Sequence, residues 1–215
     1  MNKLFIILWV LIPSFIWSDG FEISLGEAFN LEQRLTVNQG SESIVFDADF
    51  KTNGFSSPQY YSLRYIKGSK DDRLEFELIH HKLYVESDLP DQIQNFEITD
   101  GYNLLMINKS MMVGYDFRFR FGIGTVVSHP DIMVNGHTNY VRGGGLIPKF
   151  WADGYHWRGI SMQASVHYPI PITEIASMNI EGKLLYAWSR IPISGGYVNV
   201  PNLSFHVLLG YGRIK

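Results

Sequence analysis

The chain of 215 residues contains no cysteine, which excludes disulfides, thiolate zinc sites and cysteine nucleophiles. It also lacks an excess of positive charge. The formal net charge is -3 at pH 7, which argues against an overall basic surface that binds nucleic acid. Beyond residue 20, no apolar run approaches the roughly 20 residues that a membrane-spanning helix requires.

The first residues have the pattern of a secretory signal. Lys3 gives a positive start, an apolar stretch runs from Leu4 to Trp17, and the small residues Ser18-Asp19-Gly20 follow. A charged start, a short apolar core and a small-residue exit are the three parts of such a signal. The sequence therefore predicts a signal peptide over 1–20 and a single domain over 21–215.

After residue 20, apolar and polar side chains alternate with a period of two. The plainest case is Phe117-Arg118-Phe119-Arg120-Phe121, in which the rings share one face of a strand and the guanidinium groups share the other. The many aromatic residues and the 20 glycines also favour strands and tight turns. Eight long strands are predicted from the alternation, at 21–30, 58–68, 72–84, 98–111, 114–128, 156–168, 175–190 and 201–213.

The predicted connections alternate between short and long. Short turns are expected near Lys67–Asp71, Met112–Gly114 and Pro169–Thr173. Long connections are expected at 31–57, 85–97, 129–155 and 191–200, the first with a strand-like piece from Ile44 to Phe50. Outer-membrane barrels have short periplasmic turns and longer extracellular loops. The predicted fold is therefore all-β, a closed antiparallel transmembrane β-barrel of about eight strands in up-and-down order.

The alternation alone leaves open which face of the strands meets water. In a soluble barrel such as a lipocalin the aromatic face would fill the core, whereas in a membrane barrel it would contact lipid. The apolar face carries more bulky aromatic volume than a closed eight-stranded interior readily holds, which favours the membrane. The charged residues of the polar face would then plug the lumen as an ion network: Arg64, Arg73, Glu75, Glu77, Arg118, Arg120, Glu181 and Lys183.

Several segments carry a resemblance to known proteins: Pro58–Arg64, Glu75–Tyr84, Phe96–Leu105, Ser128–Pro130 and Val200–Tyr211. They resemble small bacterial outer-membrane barrels, the broad group of OmpA-like, OmpW-like and lipid A deacylase-like proteins. The resemblance covers most of the chain after residue 20. It implies an architecture and a location in the bacterial outer membrane, and it implies no activity.

Two histidine patterns suggest chemistry. His80 and His81 are adjacent, but neighbours on a strand point to opposite faces, so no metal site is predicted and His81 is expected in the lumen. Ser204 and His206 share the lumen face, whereas deacylases of the resembling group place a histidine before the serine on the lipid-facing wall. We expect neither a base within reach of the serine nor an approachable substrate. Ser204 and His206 are therefore weak catalytic candidates, and the sequence favours a protein that is not an enzyme.

The 129–155 segment is the most unusual surface stretch. Binding residues commonly lie on long loops with aromatic and charged side chains that a rigid scaffold positions, although such a loop can also be a solvated cap. Six residues of this stretch and its border are binding candidates: His129, Asp131, His137, Arg142, Trp151 and His156.

Three functions remain open at this point. The first is a non-enzymatic outer-membrane barrel that presents extracellular loops for surface interaction or supports the envelope. The second is a lipid A deacylase-like hydrolase in the membrane, and the third is a secreted, lipocalin-like barrel that binds an apolar ligand. No cofactor and no nucleic-acid partner are predicted. The expected contact is outer-membrane lipid, and the sequence does not specify a surface partner.

Overall fold

The computed structural model describes residues 19–69, 71–114, 116–138 and 154–214. Within these ranges, no helix has the length and apolarity needed to cross a membrane. The predicted signal peptide lies almost entirely outside the described residues, and so do the binding candidates Arg142 and Trp151.

The described residues form strands joined by turns. In chain order the strands are β1 (Gly20–Asn30), β2 (Gln33–Gln39), β3 (Glu42–Ala48), β4 (Phe50–Lys51), β5 (Tyr61–Gly68), β6 (Asp72–Val85), β7 (Ile93–Val113), β8 (Phe117–Ser128), β9 (Asp131–Val134), β10 (His137–Thr138), β11 (His156–Pro171), β12 (Ala176–Ile193) and β13 (Gly196–Ile214). The eight long strands of the prediction correspond to β1, β5, β6, β7, β8, β11, β12 and β13.

These eight strands close into an antiparallel ring in up-and-down order. Each pairs with the next along the chain, and β1 completes the ring by pairing with both β13 and β5. At the junction, Gly20 lies opposite Ile214 on one side and Ile66 on the other. The predicted fold class, a closed antiparallel barrel of about eight strands, is confirmed.

The two ends of the barrel differ in their connections. At the end that we call lower, the strands are joined across the short intervals 69–71, 114–116 and 172–175, and both Gly20 and Ile214 lie there. At the opposite, upper end, β2, β3 and β4 lie between β1 and β5, and β9 and β10 lie between β8 and β11, whereas no further strand lies in the described connections between β6 and β7 or between β12 and β13. The predicted short turns and the first and third long connections are thus confirmed.

The long upper connections contain more β-structure than the sequence predicts. The prediction of a long loop at 191–200 is wrong, because β12 and β13 continue through this segment as a hairpin with a tight turn at Ser194–Gly195. Gly195 has a φ of 76°, a left-handed conformation that glycine adopts without steric cost. The predicted 85–97 loop is also too long, because β7 already begins at Ile93.

The first and third upper connections form hairpins that extend the barrel wall. β2 and β3 pair with each other over Gln33–Ala48, and β2 also pairs with the upper part of β13. The predicted strand-like piece from Ile44 to Phe50 corresponds to β3 and the start of β4, whereas β2 was not predicted. In the third connection, β9 pairs with β7, with Asp131 opposite Glu97, and β10 folds back on β9.

The interior changes character along the barrel axis. On β12, the inward residues Glu181 and Lys183 are followed toward the upper end by the buried Leu185, Ala187 and Ile191. The buried hydrophobic core therefore lies inside the upper half and extends under the hairpins. Its members include Leu35, Val37, Ala48, Phe50, Ile93, Phe96, Ile98, Tyr102, Leu104, Val126, Ile132, Val134, Leu185, Ala187, Ile191, Ile193, Val198 and Val200.

Candidate functional sites

The exterior of the lower half is an apolar belt. Phe121 on β8 is 53% exposed, while its inward neighbour Arg120 is 0% exposed. The same outward positions on the other long strands also carry exposed apolar side chains, among them Ile23, Leu25, Leu63, Leu74, Phe76, Leu105, Ile107, Ile123, Met162, Val166, Ile180, Leu184, Phe205, Val207 and Leu209. Monomeric soluble proteins rarely expose a contiguous apolar surface of this extent, whereas a barrel in lipid requires one.

The chain is an outer-membrane β-barrel. An apolar outer band, a polar lumen, short turns at one end and longer connections at the other are the features of this class. The predicted orientation is confirmed, because the phenylalanines lie outside and the arginines lie inside. In a secreted, lipocalin-like barrel these positions would be reversed, so the structure does not favour that alternative. In this class the longer connections, which lie here at the upper end, are the extracellular ones.

A buried ion network fills the lumen of the lower half. Glu77 lies at its centre, where one carboxylate oxygen accepts hydrogen bonds from Ser62, Arg64 and Lys183, each at 2.6 Å. Its second oxygen accepts from Asn108 at 2.8 Å and from Gln163 at 2.6 Å. Five donors from four other strands therefore converge on a single carboxylate.

Two arginines extend this network across the barrel. Arg64 contacts Glu22 at 2.5 Å and Glu181 at 2.9 Å, and Arg120 contacts Glu181 at 2.9 Å and also pairs with Glu75. Buried charges are costly unless they are paired and hydrogen-bonded, and here each makes several such contacts. Six of the eight predicted members of the lumenal plug are in this network, and Glu22 is a member that the sequence did not single out. The other two, Arg73 and Arg118, are also buried and donate hydrogen bonds to the Ser69 carbonyl and the Ser110 hydroxyl.

A hydrogen-bonded layer lies above the ion network. The Ser204 hydroxyl is 2.8 Å from Nε2 of His206, and Nδ1 of the same ring is 2.7 Å from the Tyr60 hydroxyl. The expectation that no base lies within reach of Ser204 is therefore wrong. The second expectation, that a substrate cannot approach, agrees with the structure, since all three residues are 0% exposed.

The adjacent histidines lie on opposite faces of β6, as predicted. His81 is inside, with its ring centroid 5.1 Å from that of His206. His80 lies on the outer side, where its ring stacks on Tyr61 at 5.1 Å and its Nδ1 is 2.8 Å from the Asn103 side-chain oxygen. Both rings therefore act as packing groups at the level where the lumen changes from ionic to apolar.

The tips of three hairpins meet at the top of the barrel. The Gln39 amide, at the β2–β3 turn, donates to the Ser194 carbonyl at 2.9 Å and accepts from Asn135 at 2.9 Å. Gln94 accepts a further hydrogen bond from the backbone of Gly136 at 3.0 Å. These contacts tie the β2–β3, β9–β10 and β12–β13 turns together. We call this upper assembly, β2, β3, β9, β10 and the upper ends of β7, β12 and β13, the cap.

The described binding candidates lie on β9, β10 and β11 and in the segment between β8 and β9. The His129 ring lies 4.6 Å from the Tyr155 ring, and its Nδ1 is 3.3 Å from a carboxylate oxygen of Asp100. Asp131 and His137 are exposed on β9 and β10, whereas His156 is buried at the start of β11. A binding site composed of these residues stays a prediction, to which Arg142 and Trp151 belong outside the described ranges.

The comparisons with known proteins return distant structural likenesses. No protein-family model matches the chain, and no curated protein matches it. Ail, the attachment invasion locus protein of Yersinia pestis, is 10% identical with a TM-score of 0.43, and the match covers 90% of this chain and 97% of Ail. Neisserial surface protein A is 11% identical, with a TM-score of 0.42 and coverage of 91% and 97%. The outer membrane protein AlkL is 9% identical, with a TM-score of 0.47 and coverage of 91% and 90%. The membrane position of this chain therefore rests on its own side chains.

Proposed function

We propose that the protein is a non-enzymatic barrel of the bacterial outer membrane and that it acts through its extracellular cap. The observation that carries this proposal is the filling of the lumen at two levels. The ion network around Glu77 occupies the lower half, and the apolar core under Gln39 occupies the upper half. Transport along the axis would require both fillings to open, so the surface that remains for function is the exterior of the cap.

The cap consists of paired strands that pack on an apolar core. Its hairpins are paired strands with a buried apolar side, represented by Leu35 and Val37 on β2, and with a polar outer side. A rigid scaffold of this kind can present side chains to a partner without the entropy cost of ordering a loop on binding. The proposed roles are surface interaction or support of the envelope, with outer-membrane lipid around the belt.

Conductance measurements test the sealed lumen. The folded barrel is inserted into planar lipid bilayers, and its insertion is checked by its heat-modifiable mobility on gels. We expect no conductance steps, because ion pairs and an apolar core block the axis. Stable conductance steps from the unmodified barrel would contradict the proposal.

Thiol labelling tests the orientation of the cap. The chain has no cysteine, so a single introduced thiol reports on one position. Ser43 is exposed at the start of β3, and Glu174 is exposed in a lower turn. Ser43→Cys is the test variant, and Glu174→Cys is its control. We expect a membrane-impermeant reagent to label Ser43→Cys on intact cells and to label Glu174→Cys only after permeabilisation. The reverse result would place the cap in the periplasm and end the proposal.

The hydrolase alternative keeps one supporting observation, the 2.8 Å contact between Ser204 and His206. A nucleophile also needs a substrate within reach, and both residues are sealed in the lumen. We expect acyl chains of lipopolysaccharide to be the same in cells with the native protein and in cells with Ser204→Ala. Loss of acyl release on that substitution, with the barrel still folded, would establish the hydrolase instead.

A further inference from the structure

Arg190 is held over aromatic rings on the outer surface of β12. Its guanidinium carbon lies 4.4 Å from the centroid of the Tyr197 ring and 6.0 Å from that of Trp188, and its Nε donates to the Asn199 side chain at 3.2 Å. Stacking on aromatic faces fixes the planar guanidinium while its terminal nitrogens stay available to a ligand. Arg190 is therefore pre-oriented although it is exposed.

Arg158 falls opposite Arg190 when the register of β11 and β12, in which Ile160 lies opposite Trp188, is continued by two positions. The pairing of β11 with β8 shifts between Trp157 and Ile160, which places Arg158 within the shifted segment. Such bulges re-aim side chains relative to a regular strand. The Arg158 carbonyl accepts a hydrogen bond from Ser189, the residue before Arg190, so the two exposed arginines belong to adjacent positions of neighbouring strands.

Neither arginine forms an ion pair with a carboxylate among the described residues. Other exposed cations of the upper half do: Arg34 contacts Asp47 at 2.9 Å, and Lys51 contacts Glu86 at 2.9 Å. The hydrogen bond from Arg34 also lowers the pKa of the Asp47 carboxyl. Two neighbouring positive charges that pair with no described carboxylate repel each other, and an anion bound between them would remove this repulsion.

The arginines stand directly above the apolar belt. Two positions below them along each strand, Ile160 lies opposite Trp188, and after two further positions Met162 lies opposite Tyr186. Below these pairs is a groove of about 570 Å³, open to the outside, that extends across the outer faces of β6, β7, β8, β11, β12 and β13 and includes Met162, Leu184 and Tyr186 in its lining. A ligand with an anionic head and apolar chains could therefore contact the arginines and the groove together.

We infer that Arg158 and Arg190 bind the phosphate group of an outer-leaflet glycolipid, whose acyl chains lie along the groove below. Arginine suits this role because its fork of donors makes paired hydrogen bonds to phosphate oxygens. Because the two arginines lie at the edge of the lipid-facing belt, we expect a phosphate attached to a lipid and not a free phosphate. The inference rests on the proposed extracellular position of the cap, which thiol labelling tests, and it does not depend on the sealed lumen. Conductance steps would therefore contradict the sealed lumen without contradicting the lipid site, and a failed lipid titration would leave the sealed lumen standing.

Native mass spectrometry of the folded barrel in an uncharged detergent tests the site. The barrel is titrated with bis-phosphorylated lipid A, with the same lipid after removal of its phosphates, and with inorganic phosphate. We expect the phosphorylated lipid to bind at least about tenfold more tightly than the dephosphorylated one, as charge-assisted hydrogen bonds of this kind would produce. The double variant Arg158→Gln/Arg190→Gln should lose this preference, and Arg158→Gln alone should lose part of it.

Arg34→Gln is the matched control, because Arg34 is also an exposed arginine of the upper half but is paired with Asp47. It should keep the full preference for the phosphorylated lipid, and heat-modifiable mobility should confirm that each variant is folded. An equal preference in the double variant would overturn the inference, as would equal binding of both lipids by the native barrel. Displacement of the lipid by an equal concentration of inorganic phosphate would overturn the assignment to a lipid.

Discussion

The lower and upper halves of the barrel use the same strands with opposite polarity. On β12, the inward Glu181 and Lys183 of the lower half are charged, and the inward Ile191 and Ile193 of the upper half are apolar. The outward face of β12 changes in the opposite direction, from apolar at the exposed Leu184 to charged at the exposed Arg190. The medium around each half, lipid below and water above, therefore decides which face of one continuous strand is apolar.

The two interiors are held by different forces. In the upper half, removing apolar side chains from water stabilises the fold, and this effect has no preferred direction. In the lower half the apolar exterior already faces lipid, so the lumen depends on directional contacts such as those made by Glu77 and Arg64. Removing one charged partner of an ion pair should therefore destabilise the lower half most. Removing side-chain volume from the apolar core should mainly destabilise the upper half.

The largest effect is expected for Glu77→Gln, which keeps the shape of the side chain and removes its charge. Arg64 and Lys183 would lose the carboxylate that each contacts at 2.6 Å. Leaving buried charges without their partner costs about 3–5 kcal/mol of unfolding free energy. Urea titration in lipid vesicles measures it, with the exposed Glu42→Gln as the control. If both variants unfolded at the same urea concentration, the ion network would not stabilise the lower half.

Leu35→Ala tests the upper half. Leu35 on β2 is buried in the apolar core, and its truncation should cost about 2–5 kcal/mol through lost burial and the remaining cavity. The effect should stay local: protease added outside the cells should cut the cap sooner, while the heat-modifiable mobility of the barrel stays unchanged. Val45→Ala, at an exposed position of the same hairpin, should resemble the native protein. Simultaneous loss of the barrel's mobility shift would show that the two halves unfold as one.

Much of this architecture could be predicted from the alternation of side chains. The segment Phe117–Phe121 gives an unambiguous period of two, and the order of short and long connections then indicates the barrel. The alternation weakens where both faces become apolar, as in Leu184–Trp188. The pattern there still predicts a strand, but it does not show that the inward face changes from charged to apolar. The 191–200 segment resembled a loop because it contains the turn residues Pro192, Ser194, Gly195 and Gly196, although β12 and β13 continue through it.

The candidate sites could be predicted less well because they depend on contacts between distant strands. Glu22 joins the ion network through Arg64 on β5, and Gln39 ties hairpins whose turns are more than ninety positions away. The contact between Ser204 and His206 was missed for a different reason. Residues two apart on a strand are separated by roughly 6–7 Å along the backbone, so a hydrogen bond between them depends on side-chain direction.

Phe121→Arg tests the apolar belt. Phe121 faces outward in the belt, where an arginine near the middle of the bilayer costs about 2–4 kcal/mol. Val45→Arg introduces the same side chain at an exposed position on the cap, where water solvates the charge and the expected change in unfolding free energy is within about 0.5 kcal/mol. Unfolding titrations in lipid vesicles compare the two variants. Equal costs would mean that the surrounding medium does not distinguish the halves.

The smallest effect is expected for Gln39→Ala at the top of the cap. The substitution removes the hydrogen bonds to Ser194 and from Asn135, each at 2.9 Å, and a typical intramolecular hydrogen bond contributes about 0.5–1.5 kcal/mol. Because the apolar core beneath stays intact, the hairpin tips should separate while the strands below them remain paired. Hydrogen exchange should therefore quicken at the β2–β3, β9–β10 and β12–β13 turns and stay slow in the barrel strands, with Glu42→Ala as the control. Faster exchange throughout the upper half would instead mean that the polar tie at Gln39, and not the apolar filling, holds the cap closed.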